Sequence, residues 1–263
     1  MKKLLLILLA TFTMSAFAWT QTPAKPLEAC AAQMPYGIPE VARKVTGLCH
    51  LAYATANDEA AKLPVWTSYV LTPEHALGCV ARTNAFTPDI SIKGGARPDD
   101  YAGTGYDKGH VAPDGDMSWD QQVEYESFLM TNMMPQLGGL NRGIWKQLET
   151  IIRGWTVQQA HSYTIYAGPI YNMANNKIGK GVVIPSAFYK IAINNETHAI
   201  AGWVFPHRTD LKDLEELRMP VKHIMEAAGV QFGFPDAGKE IRPGNEPDVD
   251  FGALTKAKQA ICK

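Results

Sequence analysis

Three runs of β-branched and aromatic residues close together, at 163–167, 182–193 and 198–205, constrain the fold most. Such residues suit a pleated, half-buried surface, so each run predicts a strand. Asn194-Asn195 stands between the last two where a hairpin turn belongs, which makes that pair antiparallel. Trp66-Thr67-Ser68-Tyr69-Val70-Leu71 predicts a further strand. Ahead of the three runs, Ile144, Leu148, Ile151, Ile152 and Trp155 fall at i, i+4, i+7, i+8 and i+11, one apolar stripe of a helix over 141–155. Gly139 and Asn141 suit its entrance. A second helix over 221–228 has Pro220 at its first turn and Gly229 at its close. Residues 84–106 are rich in Gly, Pro and Asp and read as a long loop, a length that is usually functional or disordered. No repeat or linker interrupts the order. The expectation is one α+β domain over 65–263, with a mainly antiparallel sheet flanked by helices, preceded by an N-terminal arm over 19–64 that begins with a Pro- and Ala-rich stretch.

The first residues read as an address. Lys2 and Lys3 precede a short apolar run from Leu4 to Phe12, and Ala16-Phe17-Ala18 has the small-x-small cleavage pattern. That is a secretory signal peptide over 1–18, with Trp19 as mature start. The run is too short to span a membrane, and no later stretch is long enough. The chain is therefore expected to be exported, periplasmic or secreted, with no membrane anchor after cleavage. Of the 25 basic residues two lie in the leader, so 23 face 26 acidic ones, a net charge of −3. Many nucleic-acid binders are strongly basic, so any phosphate contacts here must come from a local cluster. Cys30, Cys49, Cys79 and Cys262 are an even set in an exported chain and predict two disulfides. Sequence allows three connectivities. The local bridge Cys30–Cys49, leaving Cys79–Cys262, is favoured. No Cys-x-x-Cys pair is present, which argues against zinc.

Chemistry concentrates in two segments. Asp107-Lys108-Gly109-His110 lies between the loop and Val111-Ala112-Pro113. A lone histidine there is usually a hydrogen-bonded bystander, but Gly109 permits close approach beside it, Lys108 adds a cation, and Asp107 suits orienting a ring or capping a turn. On the helix, Asn141, Trp145, Glu149 and Arg153 recur every four residues at the edge of the apolar stripe. They fit a half-buried polar site. They equally fit a helix cap at Asn141 and a surface Glu149–Arg153 pair.

Tyr106-Asp107-Lys108-Gly109-His110-Val111-Ala112-Pro113, Asn132-x-x-Pro135-Gln136 and Leu140-Asn141-x-x-x-Trp145-x-x-Leu148-Glu149, in this order, resemble the DNA/RNA non-specific endonuclease family, the ββα-metal nucleases that include mitochondrial endonuclease G. Fainter matches are Arg82-x-x-x-Phe86-x-x-Asp89, Asp100-Tyr101, Tyr166-x-Gly168-Pro169 and Val183-Ile184-Pro185-x-x-Phe188-x-Lys190, so the likeness runs from about 65 to 235. It implies a ββα-metal motif in the fold. It implies His110 as general base, Asn141 as the direct protein ligand of Mg²⁺ (with Mn²⁺ as substitute), and Glu149 reaching the metal through water. Asn132 is implied to support His110 or the substrate, and Arg82, Lys108 and Arg153 to contact phosphate. Lys108 stands where the family usually has Arg, keeping the charge and losing the planar fork.

These residue types suit phosphodiester hydrolysis. A neutral imidazole activates water near pH 7. Cations offset charge growing on the phosphate. Mg²⁺ prefers oxygen ligands and keeps several waters. Phosphate contacts carry no base identity, so the resemblance implies DNA and RNA substrates and little sequence preference. A homodimer is left open. The rival readings are a nucleic-acid-binding protein on the same fold with catalysis weakened, and a metal-dependent phosphoesterase of small substrates.

Overall fold

A computed structural model describes residues 21–234 and 248–262. The predicted leader lies outside the described residues. Eight strands and four helices carry the argument: β1 (Thr46–Cys49), β2 (Ala54–Asp58), β3 (Leu63–Leu71), β4 (Tyr106–His110), α1 (Gln121–Ser127), β5 (Met133–Leu137), α2 (Lys146–Gln159), β6 (Tyr163–Ile170), β7 (Ala187–Asn194), β8 (Ile200–Pro206), α3 (Val221–Ala228) and α4 (Phe251–Ile261).

Six strands form one sheet in the order β8-β7-β6-β3-β2-β1, every neighbouring pair antiparallel. Both faces of this sheet are covered, so its strands are apolar on both sides. Along β7, Phe188 and Ala192 join the core shared with Leu148, Ile152 and Trp155 of α2. Tyr189, Ile191 and Ile193 join the opposite core, with Val221, Ile224 and Ala228 of α3 and the buried Cys30. Alternation of period two assigns Lys190 to the α2 side. At about 25 cal/mol per Å² of apolar surface, each fully buried Leu, Ile or Phe contributes roughly 1.5–3 kcal/mol to holding these layers.

β4 and β5 pair antiparallel in a separate two-stranded ribbon, from Tyr106↔Leu137 to His110↔Met133. A continuous helical stretch follows at once: a turn at Gly138–Leu140, a π-turn at Asn141–Trp145, then α2. This strand–strand–helix unit packs against the large sheet and is the ββα motif.

Several expectations needed correction. The N-terminal arm over 19–64 is not separate from the domain. β1 and β2 lie within it, β3 begins in it, and the three form one half of the sheet. The run at 182–193 is broken at Pro185-Ser186 into a two-residue strand and β7. The turn predicted at Asn194-Asn195 is a longer loop: Asn194 pairs with Ala199, the Asn194 side-chain oxygen accepts from the N–H groups of Glu196 and Thr197, and His198 closes it at φ 60°. Residues 84–105 have one short 3₁₀ turn at Pro98–Tyr101 and otherwise run as a loop, while Tyr106, expected in that loop, already opens β4. The helix over 221–228 ends as expected on Gly229, at φ 65°.

Both favoured disulfides are present, Cys30–Cys49 and Cys79–Cys262. Thiol titration of the denatured, unreduced protein should find no free thiol, rising to four after reduction. Four thiols before reduction would refute the bridges.

Candidate active site

The ribbon, the helix after it and the loop after β3 enclose an open cavity of about 590 Å³. β4 contributes Lys108 and His110, the helix Asn141, Glu149 and Arg153, and the loop Arg82 and Phe86. Three stretches far apart in the chain thus meet at one end of the α2-side core.

His110 is the last residue of β4 and only 9% exposed. Phe128 meets its ring edge-on at 4.8 Å between centroids, and Phe86 at 5.7 Å. Its Nε2 has no hydrogen-bond partner. Burial, and secondly the positive charge of Arg82, lower its pKa to about 3. The ring is therefore neutral at pH 7. Gly109 serves close approach: a Cβ there would stand 1.9 Å from Gln136 Oε1.

Asn141 opens the π-turn. Widening the helix by one residue brings positions five apart onto one face, so Asn141 and Lys146 both line the cavity. Trp145 then turns inward, 1% exposed, and leaves the polar stripe that regular helical spacing predicts. Nor is Asn141 a helix cap, since the helical stretch begins at Gly138. Its Nδ2 donates to Asp107 Oδ2 at 2.9 Å, and Arg142 Nη1 donates to Asp107 Oδ1 at 3.0 Å. Asp107 thus ties β4 to the helix entrance and leaves the His110 ring alone.

Glu149 and Arg153 do not form the surface pair their spacing allows. Arg153 Nη1 donates to Asp116 Oδ1 at 2.5 Å, and Tyr69 Oη donates to Asp116 Oδ2 at 2.7 Å. Glu149 Oε1 instead lies 3.6 Å from Nζ of Lys190. Burial raises the Glu149 pKa, opposed by Lys190 and Arg153. Burial lowers that of Lys190, opposed by Glu149 and Asp116.

A profile of the DNA/RNA non-specific endonuclease family matches residues 32–236. The chain belongs to that family. Nuclease 1, mitochondrial, of Schizosaccharomyces pombe is 29% identical over 205 residues, 68% of this chain and 63% of that protein. A nuclease of Nostoc sp. is 34% identical over 144 residues, 54% of this chain and 52% of that protein. The match therefore spans between about half and two-thirds of these relatives' length. A chain in the solved EndoG/EndoGI complex superposes with a TM-score of 0.71 at 26% identity, covering 88% of this chain and all of that one. The family match begins at residue 32, upstream of the motifs that carry it in the sequence, and so takes in β1 and β2.

Within this family member, six of the seven residues singled out from sequence line the cavity: Arg82, Lys108, His110, Asn141, Glu149 and Arg153. Asn132 is not brought into it. Fully buried, its side-chain oxygen accepts from the N–H of Ala112, and its nitrogen donates to the carbonyls of Ala112 and Ser127. Asn132 braces the chain two residues beyond His110. Sequence reasoning passed over Asp114, which holds Arg82 at 3.0 Å, and Asp116, although Asp114-Gly115-Asp116 follows His110 closely. It also assigned nothing to Lys190, a lone cation in an apolar strand.

Proposed function

We propose that this chain is an exported, metal-dependent endonuclease that hydrolyses phosphodiester bonds of DNA and RNA with little sequence preference. One observation carries the reading. A single cavity holds a neutral, unpartnered His110, an Asn141 amide, the Glu149 carboxylate and five cations: Arg82, Lys108, Arg142, Lys146 and Arg153. On a chain of slight net negative charge, this is the local positive cluster that a phosphate backbone needs.

The residues fit Mg²⁺. Asp107 occupies the Asn141 amide nitrogen, which leaves the amide oxygen as the donor. Glu149 supplies a carboxylate in the same cavity. Among the described residues no group of three or more His, Cys, Asp or Glu forms a metal cluster. A sparse, oxygen-only donor set suits a hard cation that keeps much of its water. Asn141 would hold the metal directly and Glu149 through water. Bound Mg²⁺, replaceable by Mn²⁺, supplies positive charge beside the scissile phosphate.

The His110 imidazole removes the proton from a water as its oxygen attacks phosphorus. The P–O ester bond opposite breaks, and the departing oxygen takes up a proton from solvent. Arg82 and Arg153 offset the added negative charge of the five-coordinate transition state. Asp114 and Asp116 hold these two guanidiniums in place beforehand. All these contacts address phosphate, which explains weak base preference and tolerance of both sugars.

Purified protein incubated with plasmid DNA and with RNA should degrade both with Mg²⁺ and neither with EDTA. Intact polymers under all conditions, or cleavage of a mononucleotide ester alone, would overturn the reading. Export is tested separately, by fractionating the source cells.

Lys108 gives a finer test. Its ammonium lies 4.7 Å over the Phe86 ring and faces the cavity. Lys108→Ala should lower cleavage about 10-fold, the scale of one charged hydrogen bond. The loss should be alike on DNA and RNA and vary with salt. Lys108→Arg should keep or raise activity through its paired donors. A loss on one polymer alone would make Lys108 a selectivity residue instead.

A further inference from the structure

Lys190 is fully buried on β7, the strand next to the β8 edge of the large sheet, on the face that α2 covers. Burying an ammonium is costly unless it is paired. Its Nζ makes no hydrogen bond. It lies 3.6 Å from Glu149 Oε1 and 4.3 Å from the centre of the Trp145 ring. Asp116 and Arg153 are the other charged groups near enough to act on it. Asp116 is already engaged by Arg153 and Tyr69, which leaves Glu149 as the anion that Lys190 serves.

We propose that Lys190 is a positioning residue: it holds one oxygen of Glu149 from beneath, so that the carboxylate presents its other oxygen to the cavity at a fixed place. This rests on the reading of Glu149 as the carboxylate that reaches the metal through water. Geometry supports it in three ways. First, β7 is anchored on both sides, by β6 and β8, so the lysine's base cannot drift. Second, the π-turn swings Trp145 over the ammonium, shutting out solvent and offering its ring face to the cation. Third, among the described residues Lys190 is the cation that forms an ion pair with the Glu149 carboxylate, with Arg153 acting on it from further off. The large sheet thereby reaches into a site otherwise built from the ribbon, the helix and a loop.

The test uses the mature protein as wild type, Lys190→Met, Lys190→Arg, Glu149→Gln and the Lys190→Met/Glu149→Gln double variant. Two quantities are read: plasmid cleavage kinetics against Mg²⁺, and binding of Mn²⁺ to protein free of nucleic acid, followed by electron paramagnetic resonance. Lys190→Met should weaken Mn²⁺ binding and lower kcat by about 10–100-fold, the usual effect of losing a group that orients a metal's surroundings. KM for DNA should stay unchanged. Lys190→Arg should recover part of the loss, and Lys190→Met should cost nothing further on top of Glu149→Gln. Should Lys190→Met fail to fold, Lys190→Gln carries the same comparison. Wild-type Mn²⁺ affinity and kcat in a folded Lys190→Met protein, or losses that add fully to those of Glu149→Gln, would overturn the assignment. A wild-type protein that neither binds Mn²⁺ nor cleaves would overturn the parent reading instead.

Discussion

His110→Ala should lower plasmid and RNA cleavage by about 10²–10⁴-fold while the protein stays folded, the loss typical of a missing general base. The site explains why no neighbour takes over. Phe86 and Phe128 pack against the ring, and Arg82 stacks on the far side of the arrangement, 4.7 Å over Phe128. None of these groups accepts a proton near pH 7. The fold should survive because the ring's Nε2 holds nothing in place. Removing the ring leaves a void between two phenylalanines, which lowers the thermal midpoint without preventing folding. Initial rates of supercoil loss, with circular dichroism on the same samples, measure both effects. A folded variant that turns over at the wild-type rate would show that the proton goes elsewhere.

Asn141→Ala should reduce cleavage about 10²-fold at limiting Mg²⁺, at or beyond the upper end of what supporting groups around a metal contribute. Raising Mg²⁺ should restore part of the rate. The stability cost should be small. Asn141 loses one partly buried hydrogen bond, to Asp107, worth about 1 kcal/mol. Arg142 still holds Asp107 from the same turn. Melting curves of the metal-free variant and rate measurements over a Mg²⁺ series separate the two effects. A collapse of stability with full activity in the folded fraction would make Asn141 a structural residue.

Much of this was legible because the residues concerned act through short-range patterns. The strands at 163–170, 187–194 and 200–206 are dense in aromatic and β-branched side chains, and α3 has its apolar spacing and closing glycine. β1 and β2 were not legible. Ala54-Thr55-Ala56-Asn57 has little intrinsic preference for a strand, and it becomes one because β3 stands beside it. The π-turn escaped because the period of 3.6 holds from Ile144 to Trp155, and the extra residue shows only upstream of it. The six residues that line the cavity were singled out as a set, since motif order is a linear property. Their pairings were not. That Arg153 takes Asp116, that Glu149 takes Lys190 and that Asp107 holds Asn141 depend on how distant elements dock. Asn132 shows the same limit from the other side: its place in a motif points to the site, whereas its three backbone hydrogen bonds spend the amide on bracing.

The Cys79–Cys262 bridge joins positions 183 residues apart and closes the chain from Cys79, shortly after β3, to the end of α4 into a ring, with β1, β2 and β3 on the segment that precedes it. β4, β5, β6, β7, β8 and the cavity all belong to the ring, with Arg82 three residues inside its seam. In the chain-entropy view, closing so large a loop in the unfolded state stabilises the fold by about 5 kcal/mol. The topological result is independent of that figure. A single cut by a protease anywhere between residues 80 and 261 opens the ring without dividing the molecule. The nicked molecule keeps all its pieces covalently joined through the bridge, which holds α4 to the Cys79 segment, and migrates as one species until a reductant is added. The first cut in the ring thus leaves the molecule covalently whole.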